Sequence, residues 1–396
     1  MKILFYQHQY PAFGGIETVT TTLAARFIAD GHSVRIASFQ HRDGTDLLTR
    51  LPPGIWMPVT SATVQPLVEA FRPDIVIFQD SYVDIQQPLF DALEGHPTRN
   101  VDVPVLQVVL QRSLLAQLMR RGVGWAARRA LRPWLDRRRL KAEAARRTAI
   151  GRHVARYVTL SSAYARAVER LAPTLRGKTA FIPNPLVPMS APRRSSKKKR
   201  VLFVGSLNRT KAVHRLIRVW ARVEGRFPDW EFVVVGDGPE RGRLERLAAK
   251  TRRVRFVGFR RDPSADFAEA SVFVLASEFE GWPMVLGEAL WQGCVPVVSA
   301  SFEAARDIVD DGVTGRVVRH FDARAFAEAL CGLMADDAAR ARMAQTAVAK
   351  AAAFSVEAVA ARWYALFADV LSAGAGPQVI AVEHSRPCGW WKGTWK

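Results

Sequence analysis

KILFYQHQYPAFGGIETVTTTLAARFIADGHSVRIASF, residues 2–39, decides the fold class. Lys2 to Tyr6 is a short apolar run, followed by a Pro- and Gly-bearing loop from Gln9 to Gly15. Glu17 to Ala29 then places Val19, Leu23, Ala24 and Phe27 at helical spacing. Gly31 ends that helix, and Ser33 to Phe39 is a second apolar run. Strand, helix and strand in this order form a βαβ unit with parallel strands.

The same alternation continues outward. Asp74–Phe78, Val103–Leu110, Val154–Leu160 and Thr179–Ile182 read as buried strands, with helices around Val64–Phe71 and Ala163–Leu171. Near residue 185 the composition breaks: Pro185, Pro188, Pro192 and the basic run Arg193–Arg200 read as a linker. The pattern then restarts with Val201–Val204, a loop, a helix near Val213–Val223, Glu231–Val235, Val254–Val257, Val272–Leu275 and Val295–Val298. After Asp322 the chain reads as helical and Ala-rich to about Ser372. The tail from Gly374 to Lys396 holds Trp390, Trp391 and Trp395 and has no clear periodicity.

The expected class is therefore α/β, with two Rossmann-like, doubly wound parallel-sheet domains. The expected boundaries are 1–185, a basic linker 186–200, a second domain 201–355, and a C-terminal helix packing back on the first domain plus a tail, 356–396. At 396 residues the chain exceeds what one hydrophobic core organises. Ligands of open α/β sheets bind at the carboxyl ends of the strands, which predicts a central cleft faced by both domains.

Charge narrows the partners. The formal net charge is +20 and the pI about 10.7, which favours anionic lipid, phosphorylated substrates or nucleic acid. Cys294, Cys331 and Cys388 lie far apart, so neither a disulfide framework nor a zinc site is indicated and a reducing cytoplasm fits. Met1 to Gln7 lacks the apolar stretch of a signal peptide. No window approaches the roughly 18 to 20 apolar residues that span a bilayer, so membrane contact is expected to be peripheral. The segment Gln111–Arg156, with dense arginines among Leu114, Leu115, Leu118, Trp125, Trp134 and Leu135, suits adsorption on anionic lipid; a solvated arginine-rich helix face is the plainer reading.

The stretch richest in chemistry is SEFEGWPMVLGEALWQGCVPVV, residues 277–298. Pro283 can stand at the first turn of a helix, where its missing N–H costs nothing. The amides of Met284, Val285 and Leu286 would then face an anion at a helix N-terminus. Glu280 lies in the preceding loop and Glu288 on the second turn, and carboxylates suit the diols of two sugar rings. This segment resembles the E-x7-E motif of the retaining glycosyltransferases of family 4, which have the GT-B fold. The resemblance implies that Glu280 contacts a donor sugar and Glu288 a nucleoside ribose. VLFVGSLNRTK (201–211), VVVGDGPE (233–240), VRFVGF (254–259) and IPNP (182–185) are also family-like, as is the glycine-rich loop Gly14, Gly15, Ile16 and Glu17. The likeness covers about residues 2 to 320.

It implies a metal-independent hexosyltransferase that moves a sugar from a nucleoside diphosphate donor to a glycan or lipid-linked acceptor with retention, in cell-surface polysaccharide synthesis. Lys211 is the candidate diphosphate cation and, with Glu280, the candidate catalytic pair. Gly14, Gly15, Ser206, Arg209, Met284, Val285, Leu286 and Glu288 complete the donor set; His8, Tyr10 and Glu17 are the candidate acceptor contacts. Two positions depart from the family: Ser206 stands where an arginine usually follows the glycine, and Leu110 and Gln111 stand where many relatives carry a histidine. No metal, cofactor or nucleic-acid partner is expected, and the expected location is the cytoplasm, against the inner face of the membrane. A nicotinamide-dependent dehydrogenase is disfavoured because the first loop lacks G-x-G-x-x-G and no acid ends the second strand, where Phe39 and Gln40 stand. A non-enzymatic basic nucleotide- or membrane-binding protein on a degenerate GT-B fold remains the competing reading.

Overall fold

The computed structural model describes residues 1–12, 14–41, 47–79, 88–89, 91–93, 140–152, 154–187, 189–193, 196–319, 321–372 and 378–382. The chain divides into two compact units, Met1–Pro183 with Ala360–Lys396, and Asn184–Val359. No helix among the described residues is long and apolar enough to cross a membrane.

The first unit is built on the quoted βαβ element: β1 (Lys2–Gln9), α1 (Gly15–Ala29) and β2 (Ser33–Gln40). It continues through β3 (Trp56–Pro58), α2 (Val64–Phe71), β4 (Ile75–Phe78), β5 (Arg156–Thr159), α3 (Ser162–Leu171) and β6 (Thr179–Phe181). A C-terminal strand, β13 (Gln378–Val382), enters the same sheet, whose order is β3-β2-β1-β4-β13-β5-β6. All its pairings are parallel. Strands covered on both faces are apolar throughout rather than alternating. Ile3, Leu4, Phe5 and Tyr6 of β1 and Ile75 to Phe78 of β4 accordingly have no exposed surface.

The second unit holds β7 (Lys198–Val204), α4 (Val213–Val223), β8 (Glu231–Val235), α5 (Arg241–Ala248), β9 (Val254–Gly258), α6 (Ser264–Glu269) and β10 (Ala270–Leu275). After these come α7 (Met284–Trp291), β11 (Val295–Ser299), α8 (Ala304–Ile308), β12 (Arg316–Val318), α9 (Ala323–Ala335) and α10 (Asp337–Ala351). The sheet order is β12-β11-β10-β7-β8-β9, again parallel. From β7 the chain winds outward through β8 and β9, then returns to β10 and winds the other way. The switch point lies between β7 and β10.

One expectation changes. The basic stretch 186–200 is not a free linker. Leu186 N–H donates to the Phe354 carbonyl at 2.7 Å, Gln292 Nε2 donates to the Ala191 carbonyl at 2.8 Å, and Lys198 to Arg200 open β7. Acidic neighbours anchor its charges: Arg200 pairs with Glu231 and Glu269, Lys198 with Glu269 and Lys199 with Asp229. The C-terminal helix α11 (Val356–Ser372) belongs to the first unit from Ala360 onward. There Phe367 stacks edge-on against Phe27 and the Tyr364 hydroxyl bonds Asp30.

The predicted strand Val103–Leu110, Gln111 and the tryptophans of the tail lie outside the described residues, as does most of the basic stretch 111–156. Its described end is helical over 140–151, where Arg147 points inward, fully buried and bonded to Tyr157 and Glu143.

Candidate functional site

The second unit gathers its chemistry at the switch point, where open α/β sheets place their ligands. β7 ends at Val204 and is followed by Gly205, whose N–H donates to the Val235 carbonyl at 3.0 Å. Leu207 N–H then donates to the Asp237 carbonyl at 2.8 Å, and Glu240 N–H returns to the Leu207 carbonyl at 2.9 Å. The loops after β7 and β8 are thereby stitched together, backbone to backbone. Only glycine permits so close an approach: a Cβ on Gly236 (φ +137°) would stand 2.0 Å from the Gly205 carbonyl oxygen, and one on Gly238 2.7 Å from that of Leu207.

This scaffold aims Lys211. Asn208 Oδ1 accepts the Lys211 N–H at 3.0 Å, and Ala212 turns the chain into α4 with a left-handed φ of 51°. The lysine stem passes Gly205, its Cε 3.8 Å from where a Cβ would lie. Its Nζ meets Glu280 Oε1 at 2.6 Å. Glu280 arrives from the loop after β10, which a second contact locks to the first loop: Glu278 N–H donates to the Thr210 carbonyl at 2.8 Å. The Glu278 carboxylate holds Arg215 at 2.9 Å, and the Arg215 guanidinium lies 4.9 Å over the ring of Phe321. The two charges proposed from separate motifs therefore form one ion pair, with side chains 21% and 12% exposed.

α7 follows at once. Gly287 lets Leu186 and Trp282 close on its first turns, since a Cβ there would lie 2.4 Å from Leu186 Cδ2. The Leu286 N–H donates to the Pro283 carbonyl at 3.0 Å, so Met284 and Val285 are the amides left for an anion, one fewer than the sequence suggested. The Glu288 carboxyl group has no hydrogen-bonding or ion-pair partner among the described residues. Burial, and then the charge of Asp262, push its carboxyl up to about 7.

The other candidates lie as follows. Ser206 is exposed, 3.4 Å from Asn208 Nδ2. Arg209, 83% exposed, reaches Glu240 at 3.3 Å, a carboxylate it shares with Arg243, and is not brought to the Lys211–Glu280 pair. In the first unit the Gly14–Gly15 turn follows β1, next to that sheet's own switch point between β1 and β4. Glu17 folds over Gly14, where a Cβ would meet its Oε2 at 2.2 Å, whereas Gly15 has open space. Glu17 is buried and His8 is half-buried. Tyr10 is fully buried, its hydroxyl 2.8 Å from Thr21 Oγ1. This corrects its assignment as an acceptor contact: it is a packing residue whose ring turns into the core. Sequence reasoning missed Asn208 and the Arg215–Glu278–Thr210 lock. Asn208 left a signal, a loop-favouring residue just before the lysine; the lock left none.

Residues 198–336 match the family model described as Glycosyl transferases group 1. Among curated proteins, the lipopolysaccharide core biosynthesis glycosyltransferase LpsE of Rhizobium meliloti is 36% identical over 148 residues, 37% of this chain and 42% of LpsE. The Campylobacter jejuni GalNAc-alpha-(1->4)-GalNAc-alpha-(1->3)-diNAcBac-PP-undecaprenol alpha-1,4-N-acetyl-D-galactosaminyltransferase is 28% identical over 179 residues, 45% of this chain and 50% of that enzyme. The chain thus spans half or less of the length of these relatives. Among solved structures, Anabaena HepE in complex with UDP matches with a TM-score of 0.69 at 18% identity, covering 93% of this chain and 100% of HepE. The fold is that of the GT-B glycosyltransferases, with two Rossmann-like domains.

Proposed function

We propose that the protein is a retaining, metal-independent glycosyltransferase. It moves a hexose from a nucleoside diphosphate sugar to a hydroxyl of a glycan or lipid-linked acceptor in cell-surface polysaccharide synthesis, at the inner face of the membrane. The observation that carries this reading is the Lys211–Glu280 pair at the switch point of the second sheet. Lys211 offsets the charge that grows on the diphosphate as the glycosidic bond breaks, which needs no ion beyond the ammonium itself. Glu280 is its counter-ion at 2.6 Å. A diphosphate competes for that ammonium and frees the carboxylate to accept the hydroxyls of the transferred sugar. Glu288, unpaired at the far side of the same loop and helix, takes the ribose diol, and the amides of Met284 and Val285 take phosphate oxygens. The acceptor attacks on the face from which the diphosphate departs, and the leaving phosphate takes its proton. The first domain supplies the acceptor, with the Gly14–Gly15 turn, His8 and Glu17 as its candidate contacts. The matched glycosyltransferase model over 198–336 supports the donor half of this assignment.

Glu280→Ala and Lys211→Ala should each lower sugar transfer by roughly 100-fold or more, the scale seen when one transition-state contact is lost. Their melting curves should stay close to the parent's. Donor hydrolysis and transfer are measured over a panel of nucleotide sugars; parental rates in both variants would overturn the reading.

A further inference from the structure

We propose that the helical face formed by α4, α5 and the turn over 249–253 in the second unit is a docking surface for an anionic lipid bilayer. α4 is sharply two-sided: Val213, Leu216, Ile217, Val219, Trp220 and Val223 are buried, while Arg218 and Arg222 are exposed. α5 likewise buries Leu244 and Ala248 and exposes Arg246, with Lys250 and Arg252 exposed in the turn after it. Both helices are crossovers in the same winding direction, β7 to β8 and β8 to β9, so right-handed connections place them on one side of the sheet. They pack against each other. Trp220 Nε1 donates to the Arg252 carbonyl at 2.8 Å and Arg252 N–H donates to Glu224 Oε2 at 2.6 Å, which pins the turn to the end of α4.

The acids of this face are already engaged. Glu240 holds Arg243 and Arg209, Glu245 holds Arg241, and Glu224 takes the Arg252 amide. Arg218, Arg222, Arg246, Lys250 and Arg252 have no acidic partner among the described residues. Positive charges also crowd one another here: burial, and then Arg215, Arg218 and Arg243, hold His214 below its ordinary range.

Five unanswered cations, three on two helices lying side by side and two in the turn that follows, match a plane of headgroups rather than a groove. The exposed large hydrophobic residues among those described are Met1, Leu140, Phe259 and Val313, and none belongs to α4, α5 or the turn over 249–253. It therefore has no aromatic platform for stacking bases, as single-stranded nucleic acid requires. It also has no apolar wedge. Binding is by charge alone, reversible and screened by salt.

The test is sedimentation of the full chain with vesicles of phosphatidylcholine, with and without phosphatidylglycerol. The protein should bind only the phosphatidylglycerol vesicles and should leave them as salt rises from about 0.05 to about 0.5 M. Arg218→Gln with Arg222→Gln and Arg246→Gln should cut the bound fraction roughly tenfold, and the same positions changed to Glu should cut it further. Neutralising Arg166, Arg170 and Arg176 in the first unit should cost less, and far-UV circular dichroism checks that each variant is folded. The proposal is overturned if the face variants bind as the parent does, if anionic vesicles bind none of the proteins, or if the same substitutions abolish RNA binding while vesicle binding persists. None of these outcomes depends on whether sugar transfer is observed.

Discussion

Glu288 changes charge near neutrality, because burial and Asp262 raise its carboxyl from 4.5 to about 7. An unfolded chain releases this proton near the ordinary value, whereas the folded chain keeps it until about 7. The folded state is thus fully favoured at this site below 4.5, loses that advantage as pH rises toward 7, and gains nothing back above it. Glu288→Gln, which cannot ionise, should raise stability by on the order of 2 to 3 kcal/mol at about pH 8 and by little at about pH 4.5. Thermal melts at the two pH values check this; an equal difference at both would refute the assignment. The same variant should weaken nucleoside diphosphate binding at about pH 8, where the parent offers the diol a full carboxylate. At this scale the sequence was only half legible. Motif position identified Lys211 and Glu280, and Asn208 left a local signal beside the lysine, yet nothing in the chain announced that the Thr210–Glu278 contact steadies Glu280, because tertiary folding brings those loops together. Tyr10 was misjudged because its place in a strand-to-helix loop does not say which way the ring turns.

The loops after β7, β8 and β9 act as one element. Gly205 bonds to Val235, Leu207 to Asp237, and Gly236 N–H donates to the Gly258 carbonyl at 2.8 Å. Gly236→Ala forces a methyl to 2.0 Å from the Gly205 oxygen at a φ that side chains disfavour. It should cost on the order of 2 to 4 kcal/mol and reduce nucleotide affinity more than any nearby surface change. Gly225→Ala, whose Cβ would meet nothing within 4 Å, is the control and should be near neutral. Calorimetric titration with uridine and guanosine diphosphates, alongside melting curves, separates the two. Strand existence was readable where a continuous apolar run is buried on both faces, as in β1, β4, β7 and β10. β3 and β12, edge strands of three residues, escaped, whereas the equally short edge strand β6 did not. The stretch 186–200 was misjudged for a different reason: prolines and lysines look solvated until the acids that receive them, Asp229, Glu231 and Glu269, are folded alongside.

At the scale of the whole molecule, two doubly wound sheets were legible from alternation alone, and the chain divides between Pro183 and Asn184. The return of the chain was legible only in part. α11 was expected on the first domain, whereas β13 was not, although Val379–Val382 is a short apolar run like that of β4. α11 seats Phe367, with no exposed surface, against Phe27. Phe367→Ala should therefore destabilise the first unit by about 3 to 5 kcal/mol and leave the second unit's transition in place, a split that scanning calorimetry can resolve. The wider consequence concerns birth order. Because the first sheet holds both β1 and β13, the part of the protein that emerges earliest from the ribosome is the last to be finished, while the unit encoded between them can close before translation ends. A nascent chain arrested once residue 359 has cleared the exit tunnel should already protect its second half from protease, with the first half still digestible.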